Sequence, residues 1–168
     1  MSLVADRLSA IKASPTLAIT AKAAKLKSEG KDIIGLGAGE PDFDTPQYIK
    51  DAAIAAMNKG LTKYTPAGGT ASLKKAIIAK FKRDNGLDYT EKQILVSCGG
   101  KHTSFNLCLA LLNPGDEVII PAPYWVSYPD MAMVAGAKPV IVTAGIEQGF
   151  KITPAQLESA ITPKSRLI

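Results

Sequence analysis

The pattern of apolar and polar positions along the chain changes character near Gln93. Before this residue the chain carries mainly segments with one apolar face, and after it short apolar runs alternate with such segments. The pattern predicts helices over residues 5–13, 16–29, 46–58, 73–85, 101–112, 125–135 and 154–161, and strands over residues 33–36, 94–96, 117–120, 139–142 and 166–168.

Local signals mark where several of these helices begin. Thr45 precedes Pro46, which is the order of an N-cap residue followed by a proline in the first turn. Thr70 or Ser72 supplies the cap of the helix that runs to Asn85. We therefore expect the backbone N–H groups at these helix ends to bond to side-chain oxygens.

The predicted strands after Gln93 are almost entirely apolar rather than alternating. Strands of this kind have both faces covered by helices, which is typical of parallel sheets. Their alternation with helices predicts an α/β fold with a mostly parallel sheet. The last strand has only begun when the sequence stops at Ile168, so we expect the chain to be the N-terminal portion of a longer protein.

The stretch from Ser97 to His102 joins a predicted strand to a predicted helix through the pair Gly99 and Gly100. Such a turn leaves the first backbone N–H groups of the helix without partners, and the helix dipole adds partial positive charge there. Glycines also let a ligand approach the backbone closely. The stretch therefore predicts an anion site, above all for phosphate.

Composition and charge narrow the classes of function. Of the 168 residues, 46% are hydrophobic and 21% are charged, which is typical of a globular protein, and no apolar run predicts a membrane span. The net charge is +5, but the basic residues are scattered, so we expect no nucleic-acid partner. Two cysteines, one histidine and no signal peptide indicate a cytoplasmic protein without a disulfide framework or a metal site.

Three other chemistries are disfavoured by the residues present. A P-loop needs a glycine at the position of Leu95, and His102 stands where it needs Ser or Thr. The run Gly35-Leu36-Gly37 lacks the last glycine of a dinucleotide fingerprint, because Glu40 occupies its place. Cys98 and His102 could form a nucleophilic pair, but no residue nearby is placed to orient the imidazole.

Four ordered motifs carry a resemblance to a known family. They are Gly37–Pro46, Tyr64–Gly69, Gly99–Lys101 and Pro121–Trp125. In this order they resemble the class I (fold type I) pyridoxal-phosphate-dependent aminotransferases, above all the bacterial aspartate aminotransferases, over residues 8–168. The resemblance implies a three-layer α/β fold that is incomplete in this chain. Residues 1–46 would form the N-terminal arm and part of the small domain, and residues 47–168 the first part of the large cofactor-binding domain.

The resemblance also implies contacts with the cofactor, pyridoxal 5′-phosphate. Gly99, Gly100 and Lys101 are similar to the segment that binds its phosphate. Trp125 is similar to the aromatic residue that stacks on the pyridine ring and borders the substrate. Tyr64 is similar to the tyrosine that reaches the phosphate held by the neighbouring subunit, which implies a homodimer.

Two further residues resemble parts of the family's substrate site. Gly39 is similar to the loop glycine whose backbone meets the substrate α-carboxylate. Lys12 is similar to the arm lysine that helps some bacterial members accept prephenate. Lys101 is not the lysine that forms the Schiff base, because in the family that residue lies downstream, beyond Ile168. No catalytic residue is therefore expected in this chain.

The activity implied by the resemblance is transfer of an amino group between L-aspartate and 2-oxoglutarate, with prephenate as a further substrate. The partners are then small amino acids and 2-oxo acids. Two alternatives stay open: a class I aminotransferase or lyase of other specificity, and a non-catalytic binding protein of the same fold. Whichever class I enzyme the full-length protein is, residues 1–168 alone are expected to be inactive.

Overall fold

The computed structural model describes residues 3–37 and 39–168. Its helices are α1 (Pro15–Ser28), α2 (Gln47–Asn58), α3 (Ala71–Asn85), α4 (Gly100–Leu111), α5 (Ser127–Val134) and α6 (Pro154–Ala160). Its strands are β1 (Glu117–Ala122), β2 (Lys138–Thr143) and β3 (Ser165–Leu167), and short 3-10 helices lie at Asp6–Ala10, Glu91–Gln93 and Ile146–Gln148. The chain divides into two compact units, one made of the N-terminal segment to Ala18 with Cys98–Ile168, the other of Ile19–Ser97.

The first unit contains a parallel sheet in the order β2-β1-β3. The central strand β1 is buried over its first four residues, and the side chains of Val118 and Ile120 pack against Cys108 and Leu112 at the end of α4. Ala132 of α5, which is fully buried, completes this cluster. Burial raises the pKa of the Cys108 thiol, so this cysteine behaves as a small apolar core residue. The predicted α/β fold with a parallel sheet is confirmed.

A charged residue links the beginnings of the three strands through hydrogen bonds. Glu117, the first residue of β1, is 7% exposed, and its carboxylate accepts hydrogen bonds from Thr162 Oγ1 at 2.7 Å and Lys138 Nζ at 3.3 Å. Lys138 is its partner across the ladder to β2, while Thr162 lies in the turn that leads to β3. These bonds hold the pKa of Glu117 below its usual range.

The second unit is built around α2, α3 and the loops that flank them. Thr70 caps α3 by accepting the Leu73 amide at 3.4 Å, as one of the two predicted caps. Gly69, with φ of 101°, lies so close to Val96 that an added Cβ would stand 2.5 Å from a Val96 methyl carbon. The Val96 amide donates to the Gly68 carbonyl at 3.1 Å. Because Gly69 has no side chain, the loop at Gly68 and Gly69 can lie in direct contact with Val96.

Two predicted strands are wrong within the described residues. Residues 94–96 form no ladder, and the Val96 amide bonds instead to the Gly68 carbonyl. Residues 33–36 are irregular as well, with Ile34 and Leu36 largely exposed. An apolar run becomes a strand only where another strand is present to accept its hydrogen bonds.

Some predicted helix boundaries also need correction. The predicted helix over 5–13 is a 3-10 helix over Asp6–Ala10, which ends where the Ile11 amide bonds to the Leu8 carbonyl at 3.1 Å. Pro46, in an extended conformation, is itself the N-cap residue of α2, so Thr45 is not the cap. Helix α5 begins at Ser127, which leaves Trp125 in the loop after β1.

The remaining helices and strands lie within two residues of their predicted bounds. No helix in the described part of the chain is long and apolar enough to cross a bilayer. The division into an arm with part of a small domain (1–46) and a large domain (47–168) concerns a longer protein and stays a prediction.

We predict that Glu117→Gln lowers the urea midpoint of unfolding at neutral pH, because the amide loses the charge that attracts Lys138. A carboxylate with a lowered pKa stabilises the fold above the pKa of an unfolded glutamate, about 4.3, and that contribution disappears as the pH falls through the lower folded-state pKa. The difference between variant and wild type should therefore shrink in acid. Urea unfolding at a series of pH values measures it.

Glu158→Gln is the matched control for this experiment. Glu158 is an exposed carboxylate on α6, outside the Glu117, Lys138 and Thr162 contacts. We expect its substitution to leave the urea midpoint close to that of the wild type at every pH. A Glu117→Gln midpoint equal to that of the control at neutral pH would contradict the structural role given to Glu117.

Candidate functional site

The turn from Cys98 into α4 has a backbone that only glycine adopts readily. Gly99 is the N-cap residue of α4, with φ of 89° and ψ of 165°. This region is essentially closed to residues with a side chain. A Cβ at Gly99 would meet no atom within 4 Å, so the conformation, and not lack of space, is what calls for glycine here.

The first turn of α4 has backbone amides that no group in the described chain accepts. Gly100, Lys101 and His102 occupy the first three helical positions, and their backbone N–H groups donate to no acceptor in the described chain. The helical ladder begins with the Thr103 amide, which donates to the Gly99 carbonyl at 3.2 Å. A Cβ at Gly100 would also meet no atom within 4 Å, so an anion can approach these amides closely. The geometry fits the phosphate group expected from the sequence.

His102 makes a hydrogen bond that the sequence did not predict. Its Nδ1 accepts the backbone amide of Cys98 at 3.1 Å. The imidazole is therefore bonded to the main chain of Cys98, and this nitrogen is not free to take a proton from the thiol. The geometry gives no support to a nucleophilic Cys98–His102 pair.

Trp125 lies beyond the carboxyl end of β1, at the sheet edge where ligands bind in open α/β folds. Its indole is 49% exposed, and its Nε1 donates to Ser127 Oγ at 3.1 Å. The Lys101 ammonium lies 5.1 Å from the centroid of the indole ring, which is a cation–π contact. The structure thus brings together two of the predicted site residues, Lys101 from α4 and Trp125 from the loop after β1.

A cavity of about 510 Å³ opens beside Trp125. Its walls come from α4, β1, the loop after β1 that contains Trp125, α5 and the end of the chain, and they are mainly apolar, with Ser104, Tyr124 and Tyr128 as polar members. Gly99, Gly100 and Lys101 do not line it. The free amides, which carry the electrostatic attraction, mark the candidate anion site at the turn before α4 rather than in this cavity.

The other predicted site residues lie elsewhere in the chain. Gly39 and Tyr64 belong to the second compact unit, in loops, and the Tyr64 side chain is fully exposed. Lys12 follows the first 3-10 helix and is exposed. Their roles toward cofactor, substrate and a partner subunit stay predictions. In the described residues no group of three His, Cys, Asp or Glu side chains could hold a metal ion.

Two contacts at the site were missed by the sequence reasoning. Ser127 follows Trp125 by two residues, but nothing in the pattern shows that its hydroxyl accepts the indole N–H. His102 offers a better signal, because the third helical position is where Gln or Glu accepts a main-chain amide in a capping box. An imidazole can accept in the same way when one ring nitrogen carries no proton.

Comparison with known proteins gives one consistent family. The family model for aminotransferase class I and II matches residues 31–168. The chain is 66% identical over 164 residues to an aspartate/prephenate aminotransferase of Nitrosomonas europaea, covering 98% of this chain and 41% of that protein. It is 58% identical over 166 residues to one of Cereibacter sphaeroides, covering 99% of this chain and 42% of that protein.

Solved structures agree with the sequence relatives. An aspartate aminotransferase from Rhizobium meliloti superposes with a TM-score of 0.93 at 50% identity, covering 98% of this chain and 41% of that one. The Thermus thermophilus aspartate aminotransferase solved with maleate gives a TM-score of 0.93 at 47% identity, covering 98% and 43%. The chain thus spans about two fifths of the length of its relatives.

We predict that Gly99→Ala destabilises the fold by about 1–3 kcal/mol, because alanine is strained at this φ and ψ. Gly100→Ala is the matched control: it adds the same methyl group to the neighbouring helical residue, where we expect a change below about 1 kcal/mol. Urea unfolding without added ligand measures both values. Equal destabilisation by the two substitutions would contradict the conformational argument.

Proposed function

The chain belongs to the class I and II aminotransferases, and from this premise we propose that the full-length protein carrying it is a pyridoxal-phosphate-dependent aspartate aminotransferase. The reaction is the transfer of an amino group between L-aspartate and 2-oxoglutarate. The observation that carries the proposal is the turn at Gly99–Lys101, whose amides have no acceptor in the described chain and whose Lys101 side chain contacts the exposed Trp125. It occurs in a chain that is 66% identical to an aspartate/prephenate aminotransferase.

In this proposal the first unit holds the cofactor. The backbone amides of Gly99, Gly100 and Lys101 bind the phosphate, and the indole of Trp125 lies against the pyridine ring. The bound cofactor supplies an electron sink for the negative charge left when the substrate Cα loses its proton. The chain's own residues bind and orient: the turn fixes the phosphate end, and the indole, tethered to Ser127, fixes the plane of the ring.

Two residues of the second unit also have roles in our proposal. The backbone at Gly39 contacts the substrate α-carboxylate, and the exposed phenol of Tyr64 reaches the phosphate held by a partner subunit. The active form is then a homodimer, because each site needs a residue from the other chain. The lysine that binds the cofactor covalently lies beyond Ile168, so the residues described here position groups rather than transfer protons.

Prephenate is a further substrate in this proposal. The relatives from Nitrosomonas europaea and Cereibacter sphaeroides are both named aspartate/prephenate aminotransferases. Lys12 stands in the N-terminal segment with an exposed side chain, as an anion-binding arm residue requires. We further propose a cytoplasmic location, with small amino and 2-oxo acids as the only substrates and no nucleic-acid partner.

The activity is tested with the purified full-length protein and the isolated 1–168 chain side by side. We expect the full-length protein to form oxaloacetate from aspartate in the presence of pyridoxal 5′-phosphate, both when 2-oxoglutarate accepts the amino group and when prephenate accepts it. The isolated chain should form oxaloacetate in neither case. Absence of both activities from the folded full-length protein would refute the proposal, and turnover by the 1–168 chain would refute the placement of the catalytic lysine.

We predict that Trp125→Ala in the full-length protein weakens cofactor retention about tenfold or more and shifts the absorbance band of the bound cofactor, because the ring loses its stacking partner. Trp125→Phe keeps an aromatic face and is the matched control, with a smaller change in both quantities. Dialysis followed by absorbance spectra measures them. An unchanged spectrum and unchanged retention in Trp125→Ala would remove Trp125 from the cofactor site.

A further inference from the structure

His102 carries a feature that the proposed function does not use. Its Nδ1 accepts the Cys98 amide at 3.1 Å, across the turn that contains Gly99. The bond joins the residue before the N-cap to the third residue of α4, so it spans the whole set of free amides. Those amides can hold an anion tightly only if the turn is already in the right shape before the anion arrives.

We propose that His102 is a positioning residue that keeps the phosphate-binding turn preformed. The inference rests on the proposed function, because it takes the turn at Gly99–Lys101 as the site of the cofactor phosphate. His102 acts through the main chain and need not touch the phosphate. By accepting the Cys98 amide it fixes the entry of the chain into α4, and it leaves the amides of Gly99 to His102, none of which donates to an acceptor in the described chain, for the ligand.

The His102 bond gives the start of α4 a side-chain hydrogen bond, which Gly99 at the N-cap cannot make. A Ser, Thr, Asp or Asn cap would accept an amide of the first turn with its own side chain. Gly99 has no side chain, and the structure shows no side-chain cap at this helix end. The N-cap must be glycine for its φ of 89°, so the turn relies on the third helical residue for its side-chain bond. The acceptor takes the Cys98 amide and none of the amides of the first turn of α4.

The chemistry of the bond sets what can replace His102. A backbone N–H only donates, so Nδ1 must be the acceptor, and the proton of the neutral ring then lies on Nε2. Glutamine can accept through its Oε1, as it does at the third position of a capping box. In α6 the Oε1 of Gln156, at the third helical position, accepts the amide of the N-cap residue Thr153 at 2.9 Å, whereas the His102 bond reaches one residue further back, to Cys98. Leucine cannot accept, although it favours the helix more than histidine does.

The test compares pyridoxal 5′-phosphate with pyridoxal, which differs only in lacking the phosphate. Affinities of both for the full-length apoenzyme are measured by calorimetry in the wild type, His102→Leu and His102→Gln. We expect His102→Leu to weaken the phosphate form about five- to tenfold and pyridoxal less than about twofold, with His102→Gln within about twofold of the wild type for both. His102→Met serves as a second variant without a strong acceptor if His102→Leu does not fold.

Gln156→Leu is the matched control, because it removes a capping-box acceptor from a helix of the same unit. It should lower the thermal unfolding temperature and leave the ratio of the two affinities unchanged. A wild-type ratio in His102→Leu or His102→Met would overturn the inference while the proposed function stands. A wild-type apoenzyme that binds both compounds equally would instead refute the phosphate site itself, and the inference with it.

Discussion

Backbone amides that have no acceptor are the constraint on which the proposed site depends. The first turn of any helix has such amides, and most proteins satisfy them with a capping side chain or water. Here the N-cap is Gly99, whose φ of 89° no other residue adopts without strain, and the next three amides donate to no acceptor among the described residues. The same conformation that denies the helix a side-chain cap gives an anion access to the backbone.

The sheet anchors α4, the helix that begins at this turn. The last turn of α4 is anchored because Cys108 and Leu112 pack on Val118 and Ile120 of the central strand. At the start of that strand, next to Val118, the carboxylate of Glu117 links β2 and the turn before β3 by accepting hydrogen bonds from Lys138 and Thr162. The rigid part of the unit is therefore its apolar interior, whereas the residues proposed to meet the cofactor lie on its exposed edge. This separation lets a loop carry the site without weakening the core.

The contact between Lys101 and Trp125 links the two sides of the candidate site. The ammonium lies 5.1 Å from the ring centroid, and a cation–π contact between exposed groups contributes about 0.5–1 kcal/mol. The indole N–H is bonded to Ser127 on its other side. Together these contacts restrain the indole, while the helix dipole makes the electrostatic potential at the start of α4 favourable to an anion.

The sequence alone determined the α/β class, the parallel sheet, a cap at Thr70 or Ser72 for α3 and the Gly99–Lys101 turn, because each follows from local backbone preference or from the burial of apolar runs. Residues 33–36 and 94–96 show the limit of that reasoning, since an apolar run does not name the strand that must pair with it. Only the tertiary structure set Lys101 against Trp125 and the Cys98 amide against His102. Those contacts depend on how helix and sheet pack and on which rotamer each side chain adopts, and neither is written in the order of the residues.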